Sequence, residues 1–226
     1  MIPPLIKAYD ATPASDPVKA KVADQIAVLR PWDYRWASNS VATSLAVFWG
    51  EDVTRRVSTG RRGGGGGGGS AEDLVAAAPA ATLLQALAAA SDKLAADFGT
   101  WKTPWGDINR FQRINDDINS KFDDAGPSIP VPFASARWGT LASFGARAYP
   151  NTKKWYGTSG NSFVAVVEFG DSVRARAVTA GGESGNPASK HFNDEATRYA
   201  SGNLREVYFY PSQLKAHTEH TYHPGE

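Results

Sequence analysis

Two runs near residue 170 constrain the chain most. Residues 162–169 and 172–179 are rich in valine, alanine and phenylalanine, and Gly170-Asp171 between them suits a two-residue hairpin turn. With that turn Phe169 lies opposite Ser172, and residues of alternate parity share a face. One face then carries Val164, Val166, Glu168, Val173, Ala175 and Ala177; the other carries Phe163, Ala165, Val167, Phe169, Arg174, Arg176 and Val178. Both faces are largely apolar, so the hairpin is expected to lie inside further layers that cover it on both sides. A chain of 226 residues with 42% hydrophobic content has material for such cover.

Helices are expected to supply part of it. Asp16 is a good N-cap, Pro17 suits the first helical position, and Val18, Val22, Ile26 and Leu29 recur at helical spacing before Pro31. After Trp32, Tyr34 and Trp36, a second helix is expected to start near Ser38 or Ser40, carry Val41, Leu45, Phe48 and Trp49, and stop at Gly50. Residues 1–60 thus read as a helical segment. Residues 61–72, with unbroken glycine from Gly63 to Gly69, read as a flexible linker, because ordered glycine loses the most backbone entropy. A phosphate-cradling loop alternates glycine with other residues and follows a strand, which this run does not.

Residues 73–226 form the remainder. Leu84, Leu87, Leu94 and Phe98 share one face of a helix expected over 80–98, with Gly99 placed to end it. Prolines, glycines and aromatics then break the periodicity through 101–156, which reads as ordered irregular loops. A strand over 206–210 and short helices over 194–200 and 212–220 are expected after the hairpin.

A formal charge of +1, from 24 basic and 23 acidic side chains, supplies no field for a polyanion or an anionic membrane, so nucleic acid is an unexpected partner. The absence of cysteine removes disulfides, thiolate nucleophiles and sulfur-ligated zinc. No apolar run approaches the roughly 20 residues of a membrane span, and the opening Met-Ile-Pro-Pro does not read as a signal peptide.

The order of several blocks resembles the closing part of the β chain in the penicillin acylase family. These are Trp101-Lys102-Thr103-Pro104-Trp105-Gly106-Asp107-Ile108-Asn109-Arg110, then Gly157-Thr158-Ser159-Gly160-Asn161-Ser162-Phe163, then Val167-Glu168-Phe169. Gly181-Gly182-Glu183-Ser184-Gly185-Asn186-Pro187-Ala188-Ser189, with His191-Phe192 and Asp194 after it, resembles the segment these acylases carry shortly before their C-terminus, and Tyr208-Phe209-Tyr210 and Lys215-Ala216-His217 extend the likeness. The resemblance implies an α+β chain belonging to a four-layer αββα N-terminal-nucleophile fold, here incomplete. It implies export to the periplasm, autocatalytic cutting of a precursor into two chains, and hydrolysis of an N-acyl amide. Small-molecule substrates of the family include β-lactams, acyl-homoserine lactones and lipopeptides.

The resemblance also implies what these residues lack. The family's nucleophile is a free N-terminal residue, usually serine, whose α-amine handles its own proton; Met1 and Ile2 offer no such atom. The nucleophile, the oxyanion asparagine and any calcium ligands are expected in a missing N-terminal part or in the α chain, with no cofactor held by this chain and the chain alone inactive. Some family members use a carboxylate to orient a histidine near the nucleophile, and Glu168 is the candidate. Among valines and alanines on the derived hairpin an unpaired carboxylate is costly; the competing reading pairs Glu168 with Arg174 or Arg176. Glu183, Ser184 and Asn186 are candidates for substrate binding, since polar loops leaving core strands tend to bind; the competing reading is chain reversal at Asn186-Pro187.

Other constellations are weaker. Gly157-Thr158-Ser159-Gly160 is not a nucleophile elbow, so a Ser-His-Asp triad would rest on distance alone. His217, His220 and His223 repeat every third residue, but Pro224 interrupts the spacing, so no metal site is assigned. A different class of function remains open: a binding module whose tryptophan-rich loops between Trp101 and Trp155 form a pocket for an aromatic or acyl group.

Overall fold

The computed structural model describes residues 1–59, 70–223 and 225, so the glycine run and Pro224 lie outside the described residues. Helices α1 (Ile2–Ala11), α2 (Pro17–Lys21), α3 (Ala23–Leu29), α4 (Val41–Thr59), α5 (Ala71–Ala76), α6 (Ala80–Phe98) and α7 (Trp105–Ile108) precede the sheets. The Asp16 carboxylate accepts from the Val18 amide at 2.8 Å, and Pro17 opens α2. Val22 breaks the expected single helix into α2 and α3, yet Val22, Ile26 and Leu29 are all buried in the same core. Ser70 and Asp73 form a capping box for α5, so the end of the expected linker is helical instead.

The two longest helices, α4 and α6, form the centre of the helical half. Leu45, Trp49, Leu84, Leu87 and Leu94 are at most 1% exposed there, and the Trp49 indole donates to the Leu83 carbonyl at 3.1 Å. A buried bond from the Gln25 amide to Ser91 Oγ at 2.7 Å ties α3 to α6. α6 ends at Gly99, in the left-handed region at φ +83°, as its sequence implies. α4 does not stop at Gly50. A Cβ at Gly50 would lie 2.7 Å from ring carbons of Trp138, so this glycine admits a ring against the helix and does not terminate it.

Residues 101–156 are more regular than their composition suggests. They contain β1 (Asn109–Phe111), β2 (Ile129–Pro130), β3 (Phe144–Ala148) and the start of β4 (Trp155–Gly160), in the order β2-β1-β4-β3. β1 and β4 run parallel, while the other two pairs are antiparallel. The Asn109 side chain donates to the carbonyls of Val131 and Phe133 at 2.8 Å each, clamping the returning chain to β1. Trp155 stacks on Phe48 at 4.8 Å and meets Trp105 edge-on at 5.9 Å, joining this sheet to the helices.

A second sheet has the order β5-β6-β7, with β5 (Phe163–Glu168), β6 (Arg174–Thr179) and β7 (Arg205–Val207) all antiparallel. Helices α8 (Ala196–Ser201) and α9 (Pro211–His217) complete the chain. Val178, Tyr199 and Ala200 share a smaller core with Val131 and Phe144.

The hairpin differs from its expectation in register and in cover. Glu168 faces Arg174, so five residues, 169–173, form the connection instead of two. Tyr210 Oη accepts from the Val173 amide at 2.8 Å, keeping that amide out of the ladder, and the first pair lies one residue further in on β5 and two on β6, a register shift of one residue. Val164, Val166 and Glu168 therefore share a face with Arg174, Arg176 and Val178, not with the alanines of β6. Nor is the hairpin enclosed: Phe163 is 60% exposed, Val166 61% and Phe169 84%. Only its end near Val164 and Val178 is packed.

Candidate functional site

The chain after β6 closes into a compact loop. The Ser184 amide donates to the His191 carbonyl at 3.0 Å, and the Glu195 amide donates to the Gly181 carbonyl at 2.8 Å. Gly181 has φ +101°, and a Cβ on Gly182 would collide with the His191 carbonyl and the Asp194 carboxylate. Arg113, two residues past the end of β1, braces this loop from outside. Its guanidinium donates to the carbonyls of Ser184 and Phe192 and lies 4.0 Å from the Phe192 ring centroid. The Asn193 side chain returns a bond to the Arg113 carbonyl.

On this braced loop His191 Nδ1 bonds Asp194 Oδ2 at 2.8 Å. The imidazole holds the Asp194 carboxyl below the usual carboxylate range. With Nδ1 engaged, His191 presents Nε2 as its remaining ring nitrogen for hydrogen bonding with a neighbour. The sequence names both residues within the family-like block but attaches no role to them; their i, i+3 spacing is the signal that brings them together.

Glu183, Ser184 and Asn186 all lie on the same loop. Glu183 accepts from Thr179 Oγ1 at 2.7 Å and from Arg205 at 3.3 Å, while Arg205 also reaches Glu195 at 3.1 Å. Ser184 Oγ accepts from the Asn186 amide at 3.1 Å, and Asn186 Oδ1 accepts from the Ala188 amide at 2.9 Å. Ser184 and Asn186 thus serve the chain reversal directly. Beside the loop, a polar cleft of about 570 Å³ is bordered by Gly185, Arg113, Asn115, Asp117 and Thr158.

Glu168 lies at the opposite end of the strand pair. β6 carries Arg174 opposite Glu168 at one end and Thr179, where the loop departs, at the other; five residues of extended chain separate them by roughly 17 Å. The structure therefore does not bring Glu168 together with Glu183, Ser184 and Asn186. Glu168 is exposed, contrary to the burial expected from the apolar neighbours, because the hairpin projects from the body. It makes no ion pair with Arg174 or Arg176 among the described residues.

Tryptophans of 101–155 divide between core and surface. Trp105 is 1% exposed and packs with Trp155, whereas Trp138 lines a second cleft together with Trp32 and Trp36. His217 stacks on Tyr208 at 3.8 Å, and α9 ends at His217, so the three C-terminal histidines do not share a helical face. Among the described residues no group of three His, Asp or Glu side chains is placed to hold a metal ion, and no helix is long and apolar enough to cross a membrane.

The family model described as penicillin amidase matches residues 1–216. The chain belongs to the penicillin amidase family. The matched span takes in the helical half, both sheets and the braced loop of this penicillin amidase family chain. Among solved structures the chain is similar to a thermostable penicillin G acylase from Alcaligenes faecalis in orthorhombic form, at 14% identity and a TM-score of 0.47. That match covers 98% of this chain and 45% of the other, so the chain spans less than half the length of that relative. No curated protein matches it.

Proposed function

We propose that residues 1–226 are the closing part of the β chain of an acylase that hydrolyses the amide between an acyl group and an amine. The observation that carries this is the family match running through residues 1–216. In this reading the fold is the four-layer αββα arrangement, and the layers outside these residues cover the exposed faces of β5 and β6. The nucleophile is the hydroxyl of an N-terminal serine outside the 226 residues. It attacks the substrate carbonyl while its own α-amine takes the hydroxyl proton and returns it to the leaving amine; water, deprotonated by the same amine, then cleaves the acyl ester to release the acid and restore the hydroxyl, and backbone amides with an asparagine side chain hold the oxyanion in both steps. Substrates are N-acyl compounds of the β-lactam or acyl-homoserine lactone type, the compartment is the periplasm, and calcium, where bound, is held by residues elsewhere in the protein.

Within this chain Glu168 is the proposed positioning residue, orienting a histidine beside the nucleophile. Its exposure and its lack of an ion pair among the described residues support that, because the carboxylate is free to accept from an imidazole N–H. Glu183 is the proposed substrate-facing residue of the loop, with Ser184 and Asn186 shaping the turn behind it.

The test is amine release from N-phenylacetyl, N-butanoyl and N-decanoyl anilides by the protein as its source makes it, before and after Glu168→Gln. Hydrolysis of at least one anilide is expected, with kcat lowered by at least about tenfold and KM little changed in the variant. A native protein inert toward all three rejects the acylase reading; an active one indifferent to Glu168→Gln rejects the role of that carboxylate.

A further inference from the structure

On the helical half a cleft of about 480 Å³ opens between α1, α4 and the turn after β2, within the roughly 300–1,000 Å³ of small-molecule sites. Its walls carry the rings of Trp32, Tyr34, Trp36 and Trp138, with Trp49, 1% exposed, in the core behind them. Elsewhere in the chain aromatic rings pack on one another, as Phe48 does on Trp155 and Phe133 on Tyr199. Of the four wall rings only Trp32 and Tyr34 touch, edge-on at 5.4 Å; Trp36 and Trp138 have no aromatic partner among the described residues. The rings thus border a space that none of them fills.

Local backbone features hold them around it. Gly50 lets the Trp138 ring lie against α4, and Gly139, at φ +86°, turns the chain directly after that ring. Tyr34 sits at φ +62°, a conformation that a bulky residue rarely adopts. Charge is uneven at the mouth. Arg137 is engaged by Glu51 at 3.3 Å and lies over the Trp138 ring at 4.4 Å. Glu72, on α5, also lines the cleft, and its carboxylate has no hydrogen bond or ion pair among the described residues. Met1 stands at the same rim.

We propose that this cleft binds an arylalkylamine, with the flat ring held among the tryptophans and the ammonium at Glu72. Aromatic walls attract both a stacked ring and a nearby cation, and the Glu72 carboxylate, unpaired among the described residues, selects the cation over an acid of equal size. The site is independent of the hydrolysis proposed above.

Titration of the protein as its source makes it with 2-phenylethylamine, followed by tryptophan emission and by saturation-transfer NMR, tests it. Saturable binding is expected, with phenylacetate weaker by about tenfold or more, as a cation paired with a carboxylate and an aromatic wall implies. Glu72→Gln, an exposed substitution that leaves the fold intact, weakens 2-phenylethylamine about fivefold or more and leaves neutral phenylacetamide unchanged. Trp138→Ala weakens both. Absence of saturable binding, equal affinity for the amine and the acid, or an amine affinity untouched by Glu72→Gln each overturns the proposal.

Discussion

Gly50 and Tyr199 show how single atoms set local energetics. At Gly50 the missing Cβ is the space into which the Trp138 ring fits. Gly50→Ala is expected to destabilise by roughly 1–3 kcal/mol, the usual cost of overpacking, and to shift tryptophan emission as the ring is displaced. Thermal melts with fluorescence check both. The Tyr199 hydroxyl is pushed up to about 12 by burial beside Phe111, Phe133 and Phe144. A phenol whose folded value exceeds its unfolded value of 10.0 contributes stability that is complete below pH 10 and lost as pH rises toward 12. The chain is therefore expected to lose stability above pH 10, and Tyr199→Phe to remove part of that loss while changing stability at pH 7 by no more than about 0.5 kcal/mol. An unchanged alkaline midpoint in the variant would show that other groups drive it.

At the scale of elements, legibility followed length and locality. α6 is readable because 19 residues repeat one apolar face and end at a glycine that the left-handed cap requires. α4 was expected to stop at Gly50 because the same residue type serves capping and close approach, and only the position of Trp138 separates the two. β1 and β2 are three and two residues long, too short for alternation to show, and the ladders that define them join residues about 20 to 45 positions apart. The hairpin's existence was legible, but its register was not, since Tyr210 intervenes from 37 residues away. β5 is an exposed apolar edge without proline or bulge, the kind that pairs with other chains. In the 226-residue chain alone, where β5 lacks further cover, replacing Val166 by glutamate, opposite Arg176, and Val167 by lysine is expected to keep the melting free energy within about 0.5 kcal/mol while reducing sedimenting aggregate. A loss of several kcal/mol would mean that these side chains are buried in solution.

Across the whole molecule, a large helical core lies beside a smaller sheet core, and Trp155 of β4 packs into the helical one against Phe48 and Trp105. The order of family-like blocks made the membership legible. How the loop around Glu183 and Asp194 is held was not, because Arg113 reaches it from 71 and 79 residues away. The isolation of Glu168 from that loop follows from their places at opposite ends of one strand pair, which any hairpin register here imposes, because Glu168 closes β5 beside the turn while the loop leaves the far end of β6. The central claim concerns where the reactive atom lies. It is tested most directly by treating the protein as its source makes it with a sulfonyl fluoride that acylates activated hydroxyls, then finding the labelled residue by peptide mass spectrometry. The account predicts one label, at a free N-terminal serine outside residues 1–226, with amide hydrolysis lost in step; an activity-linked label on any residue within 1–226 would contradict it.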